Sequence, residues 1–110
     1  MATILKVLGQ SAPLATTLTD IYTTPSGTSS VVSSIVVCNR SSTATSFRVA
    51  VRKLGASIAD EHYIYYDVAI GGNDTFIATI GITLEATDVV SVYATDATLS
   101  FNLYGQENSL

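Results

Sequence analysis

Apolar side chains recur at every second position along most of this chain, and that period suits a pleated strand and does not suit a helix. Phe47, Val49 and Val51 alternate with Arg48, Ala50 and Arg52. Val90, Val92 and Ala94 alternate with Ser91 and Tyr93, and Leu99, Phe101 and Leu103 with Ser100 and Asn102. Ile64, Tyr66, Val68 and Ile70 form another set against Tyr63, Tyr65, Asp67 and Ala69, as do Phe76, Ala78 and Ile80 against Ile77 and Thr79. Residues 31–38 are apolar on both faces and are predicted to form a central strand. No segment sustains a helical period.

Turn chemistry at residues 9–13, 25–27, 39–42, 55–57, 71–74 and 94–97 divides the chain into about eight strands, spaced as in sandwiches and barrels. The expected fold class is all-β: a single antiparallel β-sandwich of Greek-key or jelly-roll type over residues 1–110. Residues 1–13 are expected to be an ordinary first strand or an arm that adds a strand to a neighbour, and residues 105–110 a polar tail. Phe47, Val49, Val51, Ile64, Val68, Phe76, Val90, Val92 and Phe101 are the expected core. Parity predicts a hairpin with Ile70 opposite Phe76, Val68 opposite Ala78 and Tyr66 opposite Ile80. A second registration places Arg48 opposite Asp67 and Arg52 opposite Tyr63 on an outer face, for one charge pair and one cation–π contact.

A chain of 110 residues is one domain, large enough to bury a core without disulfides or metal. Charged residues make up 13% of it, about half the usual share, so its surface must be largely Ser, Thr, Ala and Val, and a partner is expected to cover part of that surface. The lone Cys38, in an apolar run, is expected to be a buried thiol. The net charge of −4 argues against nucleic acid as the partner. Lys6, Arg40, Arg48, Arg52 and Lys53 all precede residue 54, whereas every acid except Asp20 lies at or after Asp60. The halves can neutralise one another across paired strands, or form complementary patches that join one copy to the next. No basic start leads into a long apolar stretch, and no apolar run is long enough to cross a bilayer, so synthesis in a cytoplasm and no membrane partner are expected.

Residues for catalysis are sparse. His62 shares a strand face with Asp60 if that segment is extended, but a metal needs further ligands and a general base needs a nucleophile. Residues 71–74 are glycine-rich, yet their place between two alternating runs marks a loop rather than a phosphate cradle. Asp67, Asp74, Asp88 and Asp96 lack calcium-loop spacing and suit turns. The Asn39-Arg40-Ser41 and Asn73-Asp74-Thr75 sequons are of a kind that chance supplies in a Ser/Thr-rich chain. No enzyme activity, cofactor, metal or small-molecule substrate is expected.

Three stretches are similar to small virion structural proteins of tailed bacteriophages. Tyr22-Thr23-Thr24-Pro25-Ser26-Gly27 followed by Val32 and then Ile35-Val36-Val37-Cys38-Asn39-Arg40 resembles their strand–turn–strand opening. His62-Tyr63-Ile64-Tyr65-Tyr66-Asp67 with Asn73-Asp74-Thr75-Phe76 resembles their middle hairpin, and residues 84–94 their closing strands. The resemblance spans residues 14–104 in order. It implies a non-enzymatic β-sandwich in the virion, decorating or cementing the capsid, with itself and other virion proteins such as the major capsid protein as partners. Neck, tail or fibre attachment, or a carbohydrate- or receptor-binding module, are the alternatives. The candidate interface residues are Arg48, Arg52, Tyr63, Tyr65 and Asp67.

Overall fold

Alternation resolves into nine strands in the computed structural model, which describes residues 2–109. They are β1 (Thr3–Ser11), β2 (Thr19–Thr23), β3 (Thr28–Asn39), β4 (Thr45–Arg52), β5 (Tyr63–Ile70), β6 (Thr75–Ala78), β7 (Ile82–Leu84), β8 (Val89–Ala94) and β9 (Leu99–Ser109), with single 3-10 turns at Lys53–Gly55 and Asp60–His62. Two antiparallel sheets form. The first runs β1-β9-β3-β6, with β7 also on β3, and the second β2-β8-β4-β5. The fold is all-β, its sheets joined face to face by the inward positions of both. Val32, Ile35, Val37, Leu99, Phe101 and Leu103 of the first sheet meet Tyr22, Phe47, Val49, Ile70, Val90 and Val92 of the second. Each large side chain fully buried there contributes roughly 1.5–3 kcal/mol.

The doubly apolar segment 31–38 lies in β3, which bonds β9 along one edge and both β6 and β7 along the other. The two short strands follow one another down the same edge of β3, separated around Gly81, whose φ of +62° is one that glycine adopts without strain. Gly9 stands within β1, not in a break: residues 9–11 continue the strand after a bulge, and a Cβ at Gly9 would collide with the carbonyl oxygen of Ile21. Residues 3–11 pair with β9 as a strand of the same domain, and residues 105–109 extend β9 along both β1 and β3. Met1 and Leu110, which belong to the expected first strand or arm and to the tail, lie outside the described residues.

Several expectations are corrected. Ile70 and Phe76 do not face each other in a hairpin: β5 pairs β4 in the second sheet, while β6 pairs β3 in the first. The loop 71–74 thus crosses between sheets, which parity within each strand could not reveal. Ile64, expected in the core, is exposed, as are Tyr66 and Ile80. The cause in β5 is a pair of register shifts against β4, with Asp67 at φ +50°. Such bulges rotate the following residues to the other face, so Tyr65 turns inward in place of Ile64 and Tyr66, while Val68 and Ile70 keep their expected side. Cys38 is half-buried on the outer face of the first sheet, between the inward-facing Val37 and Asn39.

Candidate interaction surfaces

On the outer face of the second sheet, β4 presents Arg48 between the inward Phe47 and Val49. The bulge sets both Tyr66 and Asp67 against it. Arg48 Nε donates to Asp67 Oδ1 at 2.6 Å and Nη2 to Oδ2 at 3.3 Å. Its guanidinium lies over the rings of Tyr66 at 4.1 Å and Tyr93 at 4.3 Å. The hydrogen bonds to Asp67 raise the Arg48 pKa above its ordinary value, and stacking plus a forked ion pair leaves the group little freedom. Tyr63 packs edge-on against Tyr66 at 4.9 Å. Beside them Asp60, Tyr63 and Tyr66 line an open cleft of about 440 Å³.

The predicted Arg48–Asp67 pair is thus formed, and Tyr63 stands near it. Arg52 and Tyr65 do not join them. The register shifts carry Tyr63 opposite Ala50, and Arg52 instead donates to Asp20 Oδ1 at 2.7 Å, to Ser91 Oγ at 3.2 Å and to the Gly55 and Ala56 carbonyls. Tyr65 packs inward against Phe47 and Phe76. Tyr66, one of the two rings that hold Arg48, was missed because nothing in the alternation marks the bulge; Tyr93, the other, faces outward as its alternation predicts and lies opposite Arg48 on the regular β8.

The charge asymmetry is satisfied within the fold. Lys6–Glu107, Arg48–Asp67 and Lys53–Glu85 join the basic half to the acidic half, and Arg52–Asp20 completes four ion pairs among the described residues. Arg40 Nη2 donates to the Ala97 carbonyl at 3.2 Å. All five basic side chains are therefore engaged inside the chain, four with a carboxylate and Arg40 with backbone carbonyls. The aspartates serve turns and loop anchors: Asp88 accepts from the Leu54 and Glu85 amides, Asp96 from the Thr45 hydroxyl and Asp74 from the Thr75 amide. His62 lies in a 3-10 turn, not a strand, and its Nδ1 accepts from the Ala59 amide at 2.9 Å. Among the described residues no three His, Cys, Asp or Glu side chains gather as a metal site would require.

The outer face of the first sheet is of a different kind. Its apolar members are Leu5 and Val7 of β1, Val31 and Val36 of β3, Tyr104 of β9 and Ile77 of β6, with Leu5 78% and Ile77 65% exposed. Its polar members are neutral, among them Gln10, Asn102, Gln106 and Asn108. Gln10 Nε2 donates to Asn102 Oδ1 at 2.7 Å and Thr3 Oγ1 to Asn108 Oδ1 at 2.8 Å, tying β1 to β9. Within the strands of this sheet the charged residues are Lys6 and Glu107, and both turn to the inner side, where they pair; Arg40, just past the end of β3, lies against the Ala97 and Leu99 carbonyls. The outward alternation Ser100, Asn102, Tyr104, Gln106, Asn108 carried that signal in the sequence.

Between the sheets, Tyr22 donates to Glu107 Oε2 at 2.6 Å and its oxygen lies 2.6 Å from Ser30 Oγ, while Lys6 Nζ reaches Glu107 Oε1 at 3.2 Å. The Tyr22 hydrogen bond holds the Glu107 carboxyl below the usual range, and burial, with Glu107 beside it, pushes Tyr22 up to about 12. A lowered carboxyl pKa adds stability above the unfolded value of about 4.3, lost as pH falls through the folded value. A raised phenol adds stability below about 10, lost as pH rises toward 12. Urea midpoints for Glu107→Gln and the unaltered protein are therefore expected to differ most near neutral pH and to converge in acid. A gap that stays constant down to strongly acidic pH would remove Glu107 from this role.

No protein-family model matches the chain, and no curated protein matches its sequence.

Proposed function

We propose that this protein is a non-enzymatic structural protein of a tailed-phage virion, acting as a capsid decoration or cement protein through protein–protein contacts. The observation that carries the reading is the uncharged outer face of the β1-β9-β3-β6 sheet. A small domain that left such a face in water would lack the charge that keeps ordinary surfaces apart, whereas a lattice that covers it gains buried area without desolvating ions. The strand order adds support. Counted as one interrupted strand along β3, β6 and β7 give sheet orders of 1-8-3-6 and 2-7-4-5, which supports reading the sandwich as a jelly-roll wrap of two Greek keys. Viral capsid domains and lectins both use that architecture, so the fold alone does not choose between them. The sequence resemblance favours the virion, with the major capsid protein as a partner and the host cytoplasm as the place of synthesis.

Mass spectrometry of purified particles tests the assignment. Hundreds of copies per particle are expected for a decoration protein, and a handful would move it to the neck or a fibre. The cleft of Asp60, Tyr63 and Tyr66 favours one other reading, since two rings and a carboxylate match the C–H faces and hydroxyls of a sugar. Absence from particles, together with glycan-array binding that Tyr63→Ala abolishes, would replace the structural role by carbohydrate recognition.

A further inference from the structure

We propose that the uncharged outer face of the first sheet binds a second copy of this chain, face to face. The inference rests on the structural-protein reading and names the partner of its bare face. The net charge of −4 arises from Asp60, Glu61, Asp74, Asp88 and Asp96, with Arg40, which lie outside the strands and outside the ion pairs, so the charge brought into a contact depends on which sheet face is used. Stacked sheets lie about 10 Å apart. With first sheet on first sheet, the ion pairs of the two second sheets are separated by three such gaps, about 30 Å, well beyond the screening length of about 8 Å at physiological salt. An approach through the second sheet would instead bring Arg48, Asp67, Arg52 and Asp20 of both copies together and strip water from their pairs.

The face also suits a two-fold contact chemically. A self-complementary patch must offer each copy what it requires of the other. Neutral amides such as Gln10, Asn102 and Gln106 carry both donors and acceptors, so they can bond their own kind. Leu5, Val7 and Ile77 supply the apolar area. Four strands of about nine residues project an area on the order of 600 Å² before side-chain relief, approaching the roughly 800 Å² per partner of a standard interface.

Sedimentation velocity on the unaltered protein, from micromolar to millimolar, is expected to show a reversible dimer. Leu5→Glu and Ile77→Glu each place a like charge twice in the interface and are expected to weaken association at least about a hundredfold. Ile64→Glu adds the same charge to the outer face of the second sheet and should leave association unchanged. Cys38 lies on the proposed interface and gives a readout that needs no substitution: its maleimide labelling should slow as concentration rises. A monomer throughout the range, with labelling independent of concentration, overturns the inference, as does association lost in Ile64→Glu and retained in Leu5→Glu. A monomer still present in hundreds of copies on particles would keep the virion role and remove only the second copy as the partner.

Discussion

Phe47→Ala is expected to destabilise the fold by about 3–5 kcal/mol, the range for deleting a large buried aromatic side chain. Phe47 is wholly buried, and its ring lies 5.1 Å from that of Phe76, 6.1 Å from Phe101 and 6.4 Å from Tyr65. Phe47 and Tyr65 come from the second sheet, Phe76 and Phe101 from the first, so the cluster ties one layer to the other. Removing its centre leaves a void that strands pinned in both ladders cannot close, and cavity cost adds to lost transfer energy. Phe76→Ala should cost less, because Phe76 is only partly covered. Urea unfolding measures both, and the melting temperature of Phe47→Ala should fall on the order of 15 °C or more. A loss under about 1 kcal/mol would mean that Phe47 does not sit at the junction of the sheets.

Phe47, Val49, Val90, Val92 and Phe101 were legible as core because their strands are regular: each alternation survives end to end, and a single assignment of faces suffices. Residues 31–38 were legible as a central strand from their apolar composition, although β3 shifts register between Val32 and Ser34. What defeated the reading was backbone geometry with no side-chain signature. Asp67 enters the left-handed region, and the bulge exchanges Tyr65 for Ile64, so two of the six tyrosines change face on the strength of one φ angle. Sheet membership was equally hidden. The loop 71–74 is as good a hairpin as it is a crossover, since turn residues fix local direction and not the sheet that the next strand joins. The Arg48–Asp67 pair was read correctly because β4 and β5 do pair, and the bulge left that contact in place. The uncharged face was written in β9 but called for knowing which strands share a sheet.

Asn39→Ala is expected to cost about 2–4 kcal/mol although it removes no apolar contact of consequence, because it releases several loops at once. Asn39 closes β3 and is buried. Its Nδ2 donates to the Thr43 carbonyl at 2.9 Å and the Gly71 carbonyl at 3.1 Å, while Oδ1 accepts from the Ser41 amide at 3.1 Å and the Thr98 hydroxyl at 3.2 Å. The bond to Ser41, two residues on, is the local turn that an asparagine after a strand suggests. The bond to Thr43 closes the same β3–β4 loop, and those to Gly71 and Thr98 reach the crossover after β5 and the connection between β8 and β9, so one amide joins three loops drawn from both sheets. Burial and these four bonds also keep the nitrogen from serving as a glycan acceptor in the folded chain, despite the sequon. Asn39→Asp separates loss of bonds from loss of shape. It retains the acceptors toward Ser41 and Thr98 but turns a carboxylate oxygen toward two carbonyls, a buried repulsion expected to cost at least as much as alanine at neutral pH. Protonation restores one donor, so the deficit of Asn39→Asp relative to the unaltered protein should shrink as pH falls, whereas that of Asn39→Ala should not. Equal deficits for the two variants at every pH would show that the two carbonyl contacts contribute nothing to the fold.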